Sequence, residues 1–199
     1  LIGAGGGIGP HIARVLASEQ VNLVLASRSQ SKVEEVAAAV RLLGIRAIVI
    51  QTDVTDGEFS RELIRQANRE FGAIDVLVYN AGVETVCHYQ ELHVNEIENL
   101  VRVNLVGPML VAQAVLPGMA SRRRGHIVNI SSLSGKIGPP YIATYAATKA
   151  GLIRFTQSLR SEYRGTGISA SVVCPGFVTT GMNARMTKEL GTGPPRCIG

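Results

Sequence analysis

Aromatic side chains are scarce in this sequence: phenylalanine, tyrosine and tryptophan together make up 5%, and tryptophan is absent. The net charge of +5 is modest, and its densest cluster, residues 122–124, consists of three arginines with no aromatic neighbour. Proteins that bind nucleic acid present a basic surface, and those that bind single strands add aromatic rings on which bases stack. We therefore interpret the arginine cluster as a solvated turn and expect no nucleic-acid partner.

Long uninterrupted apolar runs are also missing. The most apolar region, residues 100–119, contains two prolines and is interrupted by Arg102, Asn104 and Gln113. A helix that spans a bilayer needs about 20 predominantly apolar residues with few or no charges. We therefore predict no membrane span.

Paired cysteines and terminal signals are absent as well. The three cysteines are Cys87, Cys174 and Cys197, and they form no CxxC pair and no even set. This usage is typical of a reducing compartment, and we expect a cytoplasmic protein. Both ends look cut, because Leu1 and Ile2 read as the tail of a strand whose earlier residues are missing.

What the sequence does contain is a regular alternation of apolar and amphipathic segments. The predicted strands are residues 21–26, 45–50, 74–79, 126–130 and 168–173. The predicted helices are residues 10–18, 29–43, 58–71, 95–120 and 143–163, with Ser29 or Ser31 as the cap of the second. Strands that alternate with helices predict one α/β domain, residues 1–199, with a parallel sheet and helices on both faces.

Tyr145 and Lys149 are four residues apart in an alanine-rich segment that favours a helix, so both side chains project from one helical face. An ammonium close to a phenol lowers its pKa from about 10, which would suit Tyr145 for proton transfer near neutral pH. Ser132 follows the predicted strand 126–130, and its hydroxyl should emerge at the carboxyl edge of the sheet, where ligands bind. Taken alone, the Tyr-x-x-x-Lys pattern equally fits an exposed helix pair.

A glycine-rich turn precedes the first predicted helix, with glycines at positions 3, 7 and 9. Glycine lets a backbone approach a pyrophosphate closely, and the helix that follows offers unpaired N–H groups. This turn is one of several motifs whose order and spacing resemble the short-chain dehydrogenase/reductase family, from Gly3 to about Thr180. The other motifs are Asn80-Ala81-Gly82, Asn104, Ser132, Tyr145, Lys149 and the segment from Pro175 to Thr180.

The resemblance implies a Rossmann-type doubly wound sheet and hydride transfer between a nicotinamide and a carbonyl carbon. It implies that Tyr145 exchanges the proton, Ser132 holds the same oxygen, and Lys149 lowers the pKa of Tyr145 and binds the nicotinamide ribose. Asn104 would anchor a water that relays protons to Lys149. The sequence departs from the family at Tyr79, where a second asparagine is common.

The resemblance also implies the residues that contact the cofactor. They are Gly3, Gly7, Ile8, Gly9, Asp53, Val54, Asn80, Ala81, Gly82, Tyr145, Lys149, Pro175, Gly176, Val178 and Thr180. Among these, Asp53 would meet the adenine, although in Asp-Val-Thr-Asp it fits a turn residue equally well.

The residues that follow the predicted strand 21–26 indicate which dinucleotide binds. Enzymes that prefer NAD place an acid there, about 20 residues beyond the glycines, to hold the ribose hydroxyls. This sequence has Ser27 and Arg28 instead, and an arginine pairs with a 2′-phosphate through its planar fork. We predict that the protein binds NADP(H) in preference to NAD(H). The alternative is that Arg28 is an ordinary surface charge.

The function expected from the resemblance is NADPH-dependent reduction of a ketone or a 3-oxoacyl group. The alternatives are a non-catalytic NADP-binding scaffold and an NAD-dependent alcohol dehydrogenase. The substrate pocket would be formed by residues 83–88, residues 134–141, Met182, Met186 and Leu190, an apolar lining that suggests an apolar carbonyl substrate. The resemblance further implies a homodimer or homotetramer built through the two longest helices. The four histidines lack metal-ligand spacing, and we predict no metal site.

Overall fold

A computed structural model of the chain describes residues 1–176 and residue 178. The strands are β1 (Leu23–Ser27), β2 (Ala47–Gln51), β3 (Val76–Tyr79), β4 (Gly125–Ile130) and β5 (Ile168–Val173). The helices are α1 (Gly9–Ser18), α2 (Gln30–Arg41), α3 (Gly57–Phe71), α4 (Val94–Val101), α5 (Gly107–Arg122) and α6 (Ala143–Glu162). A π-helical segment, Arg102–Val106, joins α4 to α5.

All paired strands are parallel: β1 pairs with β2, and β4 pairs with both β3 and β5. Ile2 joins the two groups, because it forms parallel bridges to Ala26 in β1 and to Tyr79 in β3. The order across the sheet is therefore β2, β1, Ile2, β3, β4, β5. The order reverses beside Ile2, and in an open α/β sheet such a switch point opens a ligand crevice at the carboxyl edge.

The helices cover the sheet through two apolar clusters. One unites β1 and β2 with α1 and α2 around fully buried residues such as Leu25 and Val33. The other unites β3, β4 and β5 with α3 and α5 around Ile127, Val111 and Met119. The strands are nearly continuous apolar runs because parallel strands are covered on both faces. The predicted doubly wound α/β fold is confirmed.

The strand boundaries differ from the prediction mainly at three starts. The predicted strands 21–26, 45–50 and 74–79 each begin two residues later in the structure, at Leu23, Ala47 and Val76. The first two of these starts are where the parallel pairing of β1 with β2 begins. Val21 precedes that pairing and is 41% exposed, so its apolar character alone suggested a strand. Ser29 occupies the N-cap position of α2 as predicted, although its side chain makes no capping hydrogen bond.

Within the described part of the chain, Val94–Arg122 is the one helix long and apolar enough to cross a membrane by length and composition. Its buried residues include Val111, Val115 and Met119, which pack in the core cluster of β3, β4 and β5. A core helix meets the same criterion, and this packing accounts for the apolar content of the segment.

A cavity of about 370 Å³ lies beside Leu1, between the start of β1 and the start of β3. It is at the amino edge of the parallel strands, and none of the predicted site residues lines it. The predicted chemistry belongs to the opposite edge of the sheet.

Candidate active site

Tyr145 and Lys149 lie in the first half of α6, and both are almost completely buried, with 8% and 4% exposure. The Lys149 Nζ atom lies 5.6 Å from the centre of the Tyr145 ring and donates a hydrogen bond of 3.0 Å to the Ile130 carbonyl. The Tyr145 ring packs with Val86 and Leu100. The alternative of an exposed helix pair is therefore wrong.

Two consecutive serines at the end of β4 face different partners. The Ser131 hydroxyl is buried and donates a hydrogen bond of 2.9 Å to the Lys149 carbonyl, which ties β4 to α6. The Ser132 side chain is hydrogen-bonded to the Tyr145 phenol. It also accepts a hydrogen bond of 3.1 Å from the Ser134 N–H. The serine selected by its spacing to Tyr145 is thus the one that contacts the phenol.

The expected lowering of the Tyr145 pKa is wrong for this chain. Burial raises the pKa of the Tyr145 phenol, the Ser132 hydrogen bond lowers it, and the Glu84 carboxylate raises it further. Burial also lowers the pKa of Lys149 to about 8, against the opposing effects of Glu84 and Cys174. Lys149 is therefore held less firmly in its charged form than an exposed lysine, and its Nζ is directed at the Ile130 carbonyl.

Asn104 is fully buried in the π-helical segment, with 0% exposure. Its Oδ1 accepts a hydrogen bond of 2.9 Å from the Val83 N–H, and its Nδ2 donates one of 2.8 Å to the Val83 carbonyl. A β-carbon added to Gly82 would lie 3.4 Å from Asn104 Oδ1 and 3.5 Å from Lys149 Nζ. Asn104 and Lys149 therefore face the same small space beside Gly82.

The glycine-rich turn packs closely against the backbone that follows β3. Gly3 has a positive φ of 76°, and a β-carbon there would lie 2.5 Å from the Ala81 nitrogen. A β-carbon on Gly9 would lie 2.3 Å from the Gly3 carbonyl oxygen. Asn80 Nδ2 donates a hydrogen bond of 2.9 Å to the same oxygen, so the motif around Asn80 holds the turn.

The first helix begins at this turn without a side-chain cap. Its N-cap residue is Ile8, which offers no side-chain acceptor, and Pro10 lies in the first turn. Gly7, just before it, is exposed and has a positive φ of 56°. The Gly9 N–H donates a hydrogen bond of 2.9 Å to the Gly6 carbonyl, and Pro10 has no N–H, so this end of α1 favours an anion at the carboxyl edge mainly through its helix dipole.

Ser27 and Arg28 end β1 at the same edge. Arg28 is exposed, and its charge contributes to lowering the pKa of Asp53. The larger cause of that lowered pKa is the backbone of Thr55, whose N–H donates a hydrogen bond of 2.9 Å to Asp53 Oδ1. Asp53 thus serves as a turn residue before α3, and Val54 is buried behind it.

The segment after β5 runs beside Ser132. The Pro175 carbonyl accepts a hydrogen bond of 2.9 Å from the Leu133 N–H, and a β-carbon on Gly176 would lie 3.3 Å from the Leu133 side chain. Val178 is half-buried. Four residues predicted for the cofactor or the substrate lie outside the described part of the chain: Thr180, Met182, Met186 and Leu190.

Sequence reasoning missed two features of the site. Glu84 follows the Asn80-Ala81-Gly82 motif closely, and its charge raises the pKa of both Tyr145 and Lys149. Tyr141 has a positive φ of 69°, its carbonyl accepts a hydrogen bond of 3.0 Å from the Cys87 N–H, and its ring contacts His88 edge-on at 5.0 Å. Both residues fall inside the predicted pocket segments, but neither belongs to a recognisable motif.

Comparison with known proteins agrees with this geometry. The family model described as short chain dehydrogenase matches residues 1–191. The chain is 44% identical over 199 residues to the ketoacyl reductase HetN of Nostoc sp., an alignment that covers 100% of this chain and 68% of HetN. It is 34% identical over 189 residues to the 3-oxoacyl-[acyl-carrier-protein] reductase FabG of Staphylococcus epidermidis, covering 94% of this chain and 78% of FabG.

The fold has solved counterparts as well. A variant of the actinorhodin polyketide ketoreductase, crystallised with NADPH, superposes with a TM-score of 0.93 at 34% identity, over 96% of this chain and 74% of that protein. Because the family model matches residues 1–191 and a relative aligned over the whole chain is 44% identical, the chain belongs to the short-chain dehydrogenase family.

Proposed function

We propose that this chain is an NADPH-dependent reductase that converts a ketone or a 3-oxoacyl group to an alcohol. The observation that carries the proposal is the hydrogen bond between Ser132 and the Tyr145 phenol at the carboxyl edge, with the Lys149 ammonium 5.6 Å from the same ring. The names of HetN, FabG and the actinorhodin ketoreductase support ketoacyl or ketone reduction.

The proton step follows from the protonation state of Tyr145. Tyr145 is protonated near neutral pH, and because burial makes this phenol a weaker acid than a free one, its proton is transferred as negative charge develops on the acceptor oxygen. In the proposed reaction Tyr145 gives that proton to the substrate oxygen, and Ser132 donates a hydrogen bond to the same oxygen as negative charge develops there. NADPH, when bound, supplies the hydride that the carbonyl carbon accepts.

Proton return to Tyr145 is assigned to Lys149 and Asn104. A lysine whose pKa is lowered to about 8 exchanges protons readily near neutral pH, unlike an exposed lysine. Asn104 Oδ1 and Lys149 Nζ face the same space beside Gly82, where a water molecule hydrogen-bonded to both would connect Lys149 to Asn104. This geometry supports the relay that the family resemblance implies.

The residues at the other half of the crevice fit a dinucleotide. Gly3 and Gly9 leave no room for a β-carbon, the N–H groups of α1 lack a side-chain cap, and Gly7 is exposed at the turn. These features favour a pyrophosphate at the turn. Arg28 and Ser27 offer donors to a 2′-phosphate, and no acid stands at the end of β1 to repel it, which supports NADP(H) over NAD(H).

Substrate class and assembly complete the proposal. Thr85, Cys87 and the start of α6 line a cavity of about 30 Å³, which has room for about one water molecule and does not identify a substrate. The proposal of an apolar carbonyl substrate rests on the apolar residues of the predicted pocket segments. We also propose a cytoplasmic homodimer or homotetramer, on the strength of the cysteine usage and the family resemblance.

The test of the proposed function is replacement of Tyr145 by phenylalanine. We expect Tyr145→Phe to lower kcat for NADPH oxidation with a panel of ketones and 3-oxoacyl thioesters by at least about 10³-fold, since the proposed proton donor to the oxygen is removed. NADPH affinity, measured by fluorescence titration, should stay within about threefold, because hydrogen bonds elsewhere hold the cofactor.

Tyr163→Phe is the matched control, because Tyr163 also packs against the core but follows the far end of α6. A Tyr145→Phe protein with the kcat of the control would refute the catalytic assignment. A wild-type protein that binds NADPH but reduces no member of the panel would support a non-catalytic scaffold. Faster oxidation of alcohols with NAD⁺ than reduction with NADPH would support a dehydrogenase.

A further inference from the structure

Tyr79, at the end of β3, is buried with 1% exposure, and its hydroxyl donates a hydrogen bond of 2.7 Å to the Val103 carbonyl. Val103 lies in the π-helical segment, one residue before Asn104. The phenol therefore links the central sheet directly to the backbone that carries Asn104. No sequence motif of the family uses this tyrosine, which stands where an asparagine is common.

The Val103 carbonyl needs a hydrogen-bond donor from outside its own helix. In an α-helix it would accept from the Gly107 N–H, but that N–H donates to the Arg102 carbonyl across the π-helical turn. The next residue, Pro108, has no N–H to offer. A buried carbonyl without a donor destabilises a protein by about 1–3 kcal/mol. The Tyr79 hydroxyl supplies the donor that the Val103 carbonyl lacks within its own helix.

The residues around the Tyr79 hydroxyl leave space for it. A β-carbon on Gly107 would lie 2.5 Å from the hydroxyl oxygen, so the glycine leaves the space that the phenol occupies. Burial and the nearby Asp53 charge raise the pKa of the Tyr79 phenol, so it keeps its proton across the working pH range. Tyr79 is therefore a permanent hydrogen-bond donor in this position.

The π-helical turn determines where the Asn104 side chain points. Asn104 makes two hydrogen bonds to the backbone of Val83, at 2.9 Å and 2.8 Å, and faces Lys149 beside Gly82. We propose that Tyr79 is a positioning residue of the active site, which holds the π-helical segment through the Val103 carbonyl and thereby orients Asn104. The proposal rests on the proposed function in so far as Asn104 serves the proton relay to Lys149.

The kinetic test is a double-mutant cycle between Tyr79→Phe and Asn104→Ala, with Tyr163→Phe as the control for loss of a core tyrosine hydroxyl. We expect Tyr79→Phe to lower kcat about tenfold, with the NADPH KM changed less than about twofold, because only the orientation of Asn104 is disturbed. In the Asn104→Ala background, Tyr79→Phe should lower kcat no further. Effects that multiply in the double variant would overturn the proposal, since they would show that Tyr79 acts independently of Asn104.

A second readout does not depend on turnover. The Val83 N–H donates to Asn104 Oδ1, so its hydrogen exchange reports the position of the Asn104 side chain. We expect the Val83 amide to exchange at least about tenfold faster in Tyr79→Phe than in wild type or Tyr163→Phe. Unchanged exchange would overturn the positioning role. If no carbonyl compound is reduced by wild type, the proposed function fails, while this measurement still decides the role of Tyr79.

Should Tyr79→Phe not accumulate as folded protein, a compensating variant keeps the test decisive. Pro108→Ala supplies a backbone N–H five residues after Val103, the spacing of a π-helical hydrogen bond. We expect Tyr79→Phe/Pro108→Ala to fold and to recover the slow exchange of the Val83 amide. If the double variant also fails to fold, or shows fast exchange, the Val103 carbonyl is not the group through which Tyr79 acts, and the proposal is wrong.

Discussion

The two halves of the ligand crevice differ in how they hold their side chains. One half is formed by β3, β4 and α6. The side chains of Asn104, Tyr145 and Lys149 in this half are at most 8% exposed. Hydrogen bonds to backbone carbonyls hold the side chains of Asn104 and Lys149 in place. In the half formed by the glycine-rich turn and β1, Gly7 and Arg28 are exposed. The first half is preorganised, whereas the second offers the amino end of α1 and one exposed charge to whatever binds.

This difference matches the demands that an oxidoreductase of this family places on each half. Proton transfer requires the reacting groups to be held within about 0.5 Å of their productive geometry, which buried hydrogen bonds achieve. Choice between two dinucleotides requires only a difference in charge at one end of the ligand, which an exposed side chain provides. Changes in the buried half should therefore affect rate and pH dependence, and changes in the exposed half should affect cofactor preference.

After Tyr145→Phe, the largest effect is expected when the two serines at the end of β4 are compared. Ser132→Ala removes a donor from the reacting oxygen and should lower kcat by about 10²–10³-fold with little change in the free energy of unfolding. Ser131→Ala removes the buried bond to the Lys149 carbonyl and should lower the free energy of unfolding by about 1 kcal/mol, with kcat reduced less than about threefold. Steady-state kinetics and urea unfolding measure the two quantities.

Each serine variant is the control for the other, because the substitution and the position along the chain are nearly the same. If Ser131→Ala loses as much activity as Ser132→Ala, the preorganised half acts as one unit and the separation into a reacting and a supporting serine is wrong.

The next effect concerns the pH dependence of stability that Lys149 produces. Its pKa is lowered to about 8 in the folded chain, so between pH 8 and its unfolded value of 10.5 the unfolded state binds more protons than the folded state. Below pH 8 the folded protein is destabilised because Lys149 is buried in its charged form. As the pH rises above 8, Lys149 loses its proton in the folded state, and the free energy of unfolding increases. The free energy of unfolding of wild type relative to Lys149→Met should increase by about 3 kcal/mol between pH 7 and pH 10.5.

Urea unfolding of both proteins at several pH values provides the measurement, and Lys136→Met controls for the loss of an exposed lysine. A difference between wild type and Lys149→Met that stays constant over this range would show that Lys149 is hydrated in the folded protein.

The sequence predicted much of the buried half because its elements follow local patterns. The strand before Ser132 and the helix that carries Tyr145 and Lys149 followed from apolar runs and residue spacing. The choice of Ser132 over Ser131 followed from the family resemblance. The parallel sheet with helices on both faces also followed, from the alternation of strands and helices along the chain. Local patterns of this kind need no knowledge of distant contacts.

What the sequence did not predict depends on contacts between distant segments. The apolar pattern of residues 95–120 indicates a helix but carries no sign of the π-helical turn, which arises with Pro108 and the phenol of Tyr79, 24 residues before Val103. The direction of the Tyr145 pKa shift was wrong for a related reason. The expectation counted the charge of Lys149, whereas burial of the ring is the larger effect, and burial is a property of the assembled fold.

The smallest effect is expected in the exposed half, where Arg28 is the candidate for recognition of a 2′-phosphate. Arg28→Ala should lower the ratio of kcat/KM for NADPH to kcat/KM for NADH about tenfold, mainly through a higher KM for NADPH, because one charge-assisted pair is lost at a solvent-exposed site. The kcat at saturating NADPH should stay unchanged, since the buried half is untouched. Arg164→Ala, at an exposed position beyond the end of α6, controls for the change in net charge. Comparable kcat/KM values for the two cofactors in wild type would contradict the assignment of NADP(H), and a preference for NADPH that Arg28→Ala leaves unchanged would show that the preference comes from groups other than this side chain.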